Sequence, residues 1–328
     1  MGAAIGSAVD SALFLSDLAL IRNRPAFDVT CAITVENIQA LLAEYHGAEW
    51  ANCQVERDGK LCNHEFQNGW LARRDDGKEG MIGCDCAEKY FDANDRFRTE
   101  RYRLNREIRI ESHLFALQEL LGDQAAYASR YKRASTRLRT ALDELSELRD
   151  ELPAEVVKAL RDMVKTRATT VFVEVQYFET TEKGEQVSTW RRRDVGGVLG
   201  LVAWDETLVR EVFTSLQRVR EALDKVVVSK DQKESELRKW REGLEALPYC
   251  EREIERIDRG ARDFLRPGNV ALLCHLVANQ TKQRDIARLT LKLSGERAPS
   301  DLRVQTRLNE ILGLARERFK GCNFRVCH

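Results

Sequence analysis

The stretch YASRYKRASTRLRTALDELSEL, residues 127–148, sets Tyr127, Tyr131, Ala134, Leu138, Leu142, Leu145 and Leu148 at steps of 4, 3, 4, 4, 3 and 3. The mean step of about 3.5 residues is that of a helix with one apolar seam, as in a coiled coil or a helical hairpin. On either side the same period recurs. Leu114, Leu117, Leu120 and Leu121 form an apolar face that Gly122 stops. Further on, Leu208, Val212, Leu216, Val219, Leu223 and Val226 step by 4, 4, 3, 4 and 3. Only five prolines interrupt 328 residues, and 32% of the chain is charged, which suits long solvated helical faces. The expectation is a mainly α fold, a helical bundle or antiparallel helical hairpins. The 127–148 seam also offers a contact for a homodimer.

Two regions lose the helical period. Around 168–193, Val171, Val173, Val175 and Tyr177 alternate with Phe172, Glu174 and Gln176, and Val187 to Arg193 returns after Lys183-Gly184. That is a β-hairpin, which needs helices to pack on. From Trp50 to Tyr90, turn pairs recur at Asp58-Gly59, Asn68-Gly69 and Asp76-Gly77, and cysteines cluster. The sequence therefore divides into N-terminal helices (1–49) and a zinc-finger module (50–91). A coiled-coil-like helical hairpin (92–166), a β-hairpin (167–204) and a C-terminal helical domain (205–328) follow. Within 1–49, residues 8–22 read as one helix, and Thr34 caps another through Tyr45 with Val35, Ile38, Leu41 and Leu42 on one face.

The cysteine module carries the most specific signal. Cys53 is followed after eight residues by Cys62, then by Asn63 and His64; nineteen residues later come Cys84, Asp85 and Cys86. Zinc takes four thiolate or imidazole ligands in a tetrahedron. Cys62 and His64, two apart, share one side of a strand. Cys84 and Cys86 open the helix Ala87–Phe91, whose N-terminus favours thiolate. The expected ligands of a structural zinc are Cys53, Cys62, Cys84 and Cys86, with His64 as the alternate. At these residues, including Ile82-Gly83-Cys84-Asp85-Cys86-Ala87, the module resembles treble-clef-like zinc fingers of bacterial and phage proteins. There a cysteine pair on a hairpin meets ligands at the start of a helix. The first pair here is separated by eight residues rather than two, and the last by one rather than two. The resemblance implies nucleic-acid binding in some such proteins and only a staple in others. A second cluster, Cys322, Cys327 and His328, would need Cys250, Cys274 or His275 to complete a metal site. Cys274 reads more simply as a small buried hydrophobe.

Charge is balanced overall, with 53 basic and 53 acidic residues, which argues against a chain basic along its whole length. Residues 261–328 depart from this balance with 13 basic and 6 acidic side chains, net +7. Arg284, Arg288 and Lys292 lie on one helix face and Arg303 and Arg307 on the next, a pattern that can line a phosphate backbone of DNA or RNA. Arg96, Arg98, Arg101, Arg103, Arg106 and Arg109 make a second basic stretch, and Trp190-Arg191-Arg192-Arg193 a third. The alternative is that these charges only solvate helices. There is no Gly-Lys-Ser/Thr phosphate loop and no Gly-x-Ser-x-Gly elbow. Position 176, where a nuclease-like set around Glu174 would want Lys, is Gln. The function expected is thus non-enzymatic: a zinc-containing helical protein that binds nucleic acid, or else an adaptor that binds a protein partner. The apolar run at 11–21 is too short to span a bilayer and has no preceding Lys or Arg. A cytoplasmic protein with no membrane partner is expected.

Overall fold

The computed structural model describes residues 13–180, 182 and 184–327. In chain order the elements begin with β1 (Phe14–Leu15), α1 (Leu18–Arg22), β2 (Ile38–Asn52), β3 (Glu56–Arg57), β4 (Lys60–Leu61) and β5 (Glu65–Arg74). Next come β6 (Glu79–Gly83), α2 (Cys84–Tyr90), α3 (Asp95–Leu120), α4 (Gln124–Glu151) and α5 (Ala154–Thr166). The hairpin β7 (Thr170–Thr180) and β8 (Gln186–Gly197) leads to α6 (Glu206–Lys225), α7 (Glu234–Glu245) and α8 (Leu247–Phe264). Then α9 (Pro267–Leu272), α10 (Gln280–Leu293), α11 (Asp301–Arg318) and β9 (Phe324–Val326) complete the described chain. Two compact units result: Met1–Glu119 with Val227–Arg241, and Leu120–Val226 with Glu242–His328.

The expectation of a mainly α fold with a lone two-stranded hairpin is overturned. Among the described residues helix accounts for 56% and strand for 21%, including a four-stranded mixed sheet, so the class is mixed α and β. The largest misreading lies at Thr34–Tyr45, where a helix was expected and β2 is found. Thr34 does begin a turn. Its Oγ1 accepts from the Asn37 N–H at 3.3 Å, Asn37 Oδ1 accepts from the Thr34 N–H at 2.9 Å, and the Ile38 N–H reaches the Thr34 carbonyl at 3.3 Å. After that single turn the chain extends. Against β5, β2 carries an extra residue between Ile38 and Ala40 and another between Leu41 and Ala43. A bulge moves the inward position by one. Ile38 and Leu41 therefore both enter the core at a spacing of three, which imitates a helix; beyond them Leu41, Ala43 and Tyr45 alternate as a strand should. Of the helix expected over 8–22 only Leu18–Arg22 is helical, as α1, capped by Asp17, whose Oδ1 accepts from the Ala19 N–H at 2.7 Å; Phe14–Leu15 is instead the strand β1. Residues 8–12 lie outside the described part.

In the first unit the sheet order is β1-β2-β5-β6, with β1 parallel to β2 and the other pairs antiparallel. Its core joins Ile38, Leu41 and Leu71 to Phe91 and to Phe97 and Leu104 of α3. The bulge at Leu41 leaves backbone groups that α3 satisfies. Glu100 accepts from the Leu41 N–H at 3.2 Å, and Arg103 donates to the Leu41 carbonyl at 2.6 Å. Glu79, buried in this unit, accepts from Arg24 at 2.6 Å and Arg73 at 3.0 Å.

In the second unit the seam is buried as its period requires, through Tyr127, Ala134, Leu138, Ala141, Leu145 and Leu148. Its partner is α8 of the same chain, in one core with Cys250, Ile254, Ile257 and Ala261. Arg130 pairs with Glu251 and Arg137 with Asp258, so the two helices advance in the same direction. They are parallel neighbours. The expected hairpin at 167–204 exists as β7 and β8, but β9 adds a third strand in the order β8-β7-β9. Among the described residues, no helix is long and apolar enough to cross a membrane.

Candidate metal centre

The chain between Cys53 and Cys62 is folded out of the way. Asp58 (φ 51°) and Gly59 (φ 77°) both take left-handed backbone. Such a pair closes a two-residue hairpin, here β3 on β4, with Arg57 opposite Lys60 and Glu56 opposite Leu61. The ends then meet: the Cys62 N–H donates to the Val55 carbonyl at 2.9 Å, and the Asn63 N–H to the Cys53 carbonyl at 2.9 Å. Eight intervening residues thus place two thiols together much as a tight turn would.

The third thiol arrives by another route. β5 and β6 pair so that Gly69 faces Gly83, the last residue before α2. A Cβ on Gly69 would sit 2.2 Å from the Ile82 carbonyl oxygen, and one on Gly83 2.9 Å from the Phe66 ring, so the strands close only over bare backbone here. This sets the first turn of α2, and with it Cys86, against Cys53 and Cys62. The sulfurs of Cys53, Cys62 and Cys86 all lie within 4.8 Å of one another, with Cys62 and Cys86 3.5 Å apart. Two thiolates on one tetrahedral zinc stand about 3.8 Å apart, given Zn–S bonds of about 2.3 Å.

Cys53 and Cys86 are buried and Cys62 is half-buried. Burial pushes the Cys53 thiol up, while the backbone N–H groups of Gly83 and Val55 aimed at its sulfur act the other way. Burial also opposes ionisation of Cys62, but hydrogen bonds from the His64 backbone, Cys86, Arg57 and Cys53 together bring it below its ordinary value. Cys86 is pushed far up, by burial first and then by the other two sulfurs. Three crowded thiols cannot all ionise without a compensating cation. A soft divalent metal is the cation such a donor set fits.

The two remaining expected ligands stand apart. Cys84 is the first residue of α2, two before Cys86. On a helix, two residues turn the side chain through about 200°, so the two thiols diverge, whereas on a strand they would agree. Cys84 Sγ instead approaches Asp85 Oδ1 at 3.7 Å. Cys62 and His64 do not share a strand face either. They lie between β4 and β5, Asn63 is left-handed (φ 52°), and His64 is exposed. A contact not anticipated from sequence is Arg57, which is bonded to Cys62 and lies 4.7 Å over the Tyr90 ring. The Asp58-Gly59 turn was the signal for it, since a two-residue hairpin sets residue 57 opposite 60 and makes 62 its diagonal neighbour on the same face.

Comparison with protein-family models, curated proteins and solved structures finds no match. The site is therefore read on its own geometry.

The basic residues singled out on α10 and α11 come together on one surface but are bound up internally. Arg284 donates to Gln305 at 2.7 Å, and Arg288 pairs with Asp285 at 3.3 Å and Asp301 at 3.0 Å. Lys292 pairs with Glu151, Arg303 with Glu296 at 3.2 Å, and Arg307 with Glu310 at 3.0 Å. The local net charge of +7 is thus largely met by carboxylates that the linear count placed elsewhere. In the Arg-rich start of α3, Arg98, Arg101, Arg103 and Arg109 are likewise paired, with Asp95, Asp92, Glu100 and Glu234. Cys322 and Cys327 belong to no metal-ligand group among the described residues, and His328 lies outside them. Cys274 is buried, and burial raises its thiol to about 12.

Proposed function

We propose that this chain is a non-enzymatic nucleic-acid-binding protein whose N-terminal module is stapled by a structural zinc. The observation that carries the reading is the three-sulfur cluster of Cys53, Cys62 and Cys86. Three elements converge on it: the β3–β4 knuckle, the β5–β6 hairpin and the helix α2. That order supports the resemblance to treble-clef-like fingers, with the long first spacing absorbed by the knuckle. A structural zinc takes a fourth protein ligand, and His64 or Cys84 would supply it only by turning in from the positions found here. Nucleic acid is favoured as the ligand by the family resemblance and by the arginine–aromatic surface of β8.

Metal analysis of protein purified without added zinc, by mass spectrometry, tests the first half. About one zinc per chain is expected, falling below a tenth in Cys62→Ser. Metal-free protein that melts at the same temperature with and without a chelator would end the zinc reading. Titration into labelled DNA and RNA at ~50 and ~200 mM salt tests the second half, where affinity should fall steeply with salt.

One observation favours an adaptor as the second reading. A groove in the second unit, about 510 Å³ in volume, has an apolar floor of Leu142, Leu145, Trp204 and Phe213 with Asp143, Arg149, Glu206 and Arg210 also lining it, and Phe213 is half exposed. An apolar groove of that kind suits a protein segment better than a polyphosphate.

A further inference from the structure

The sheet of the second unit is needed by the core on one side only. Along β7, Val171, Val173 and Val175 are buried, so pleating turns Phe172, Glu174, Gln176 and Phe178 the other way. Register sets Trp190 opposite Gln176 and Arg192 opposite Glu174 on β8, and Arg325 of β9 opposite Glu174. Directly opposed residues share a face. One outer face thus gathers Phe172, Phe178, Trp190, Arg192 and Arg325. Phe178 is 64% exposed and Trp190 37%.

The arginines lie over the rings. The Arg192 guanidinium is 4.0 Å from the centre of Phe172, and Arg325 reaches across β7 to 4.3 Å from Trp190. Arg325 is also held by Glu174 at 2.7 Å, and Asn323 donates to Gln176 at 3.1 Å. Arg192 has no carboxylate partner among the described residues. On this outer face Glu174 pairs with Arg325 and Asp194 with Arg318, while Arg191 and Arg193, opposite Val175 and Val173, belong to the other face. Arg192 is the cation of this face left without a carboxylate among the described residues, in contrast to the self-paired cations of α10 and α11.

We propose that this outer face of β7, β8 and β9 is a binding site for single-stranded nucleic acid. Trp190 and Phe178 are platforms for unpaired bases, and Arg192 and Arg325 supply planar cations for bases and phosphates. Stacking on an aromatic ring accepts any base, because every base has a π-face, and it needs that face free. A duplex hides it. This inference rests on the nucleic-acid reading above and gives that reading its site and strand state.

The test is fluorescence anisotropy on the full chain with labelled 12-mers of oligo-U, oligo-dT and a mixed-sequence duplex at ~50 mM salt. The wild type should prefer both single strands to the duplex. Trp190→Ala and Phe178→Ala should each weaken single-strand binding about 5- to 100-fold, and Trp190→Phe should restore most of it. Arg192→Ala should reduce the salt slope by about 0.7. Arg284→Ala, on the paired α10 face, should bind as the wild type does. Both aromatic positions are exposed, so an unchanged melting temperature shows that the variants fold. Wild-type binding that both aromatic variants keep in full would overturn the site while leaving the nucleic-acid reading. Equal affinity for the duplex would overturn the single-strand assignment. No binding of any probe by the wild type would sink the reading and the site together, and return this face to a protein partner.

Discussion

At the scale of single residues, burial decides chemistry more than identity does. His275 is 4% exposed, and its Nδ1 has no hydrogen-bond partner. Burial alone lowers its pKa from 6.5 to about 4. A histidine kept neutral in the fold but free to protonate when unfolded destabilises the fold as pH drops. Stability should therefore be complete above pH 6.5 and decline towards pH 4, by up to about 1.4 kcal/mol per pH unit. Denaturant melts of the wild type and His275→Phe between pH 4 and 7 check this, with a flatter profile in the variant. Identical profiles would remove His275 from the account. Cys84 is the converse case. Its identity and spacing suited zinc, but the helical turn between it and Cys86 sends the two thiols apart.

At the scale of elements, periodicity was a sound guide where it ran long and misled where it ran short. The seam of α4 was legible because six inward positions over about six turns admit one interpretation. Leu138, 1% exposed at the middle of that seam, should cost about 2–4 kcal/mol when cut to alanine. Urea unfolding of Leu138→Ala measures it, and a loss under 1 kcal/mol would mean that α4 is not held by α8. β2 was illegible because the bulge between Ile38 and Ala40 turned one step of the two-residue alternation into a three-residue step. Bulges depend on the partner strand and on the Glu100–Arg103 pair that satisfies Leu41, and neither is visible from residues 34–45 alone. The strands β7 and β8 were read correctly from their alternation, but β9 was not. Three residues carry no period, and only pairing with Val173–Val175 makes them a strand.

At the scale of the whole molecule, the chain is organised as two units, each with its own core. The thiol cluster lies in the first. A chelator should raise amide exchange in β5, β6 and α2 and leave α4 and α8 unchanged, as followed by hydrogen–deuterium exchange. Equal deprotection of α4 would mean that the staple serves more than its own unit. The sequence alone determined the long amphipathic helices, the β7–β8 alternation and the thiols that turn pairs would draw together. These are local matters, decided by the period of side chains and by Gly and Asp at turns. Only the tertiary structure decided which three cysteines converge, that β2 is a strand, and which arginines are free. Those depend on groups far apart in the chain, because a bulge, a thiol triangle and an ion pair each need a partner that linear spacing does not name. The same dependence explains why the most basic stretch of sequence is internally paired, while Arg192 lies over the Phe172 ring with no carboxylate partner among the described residues.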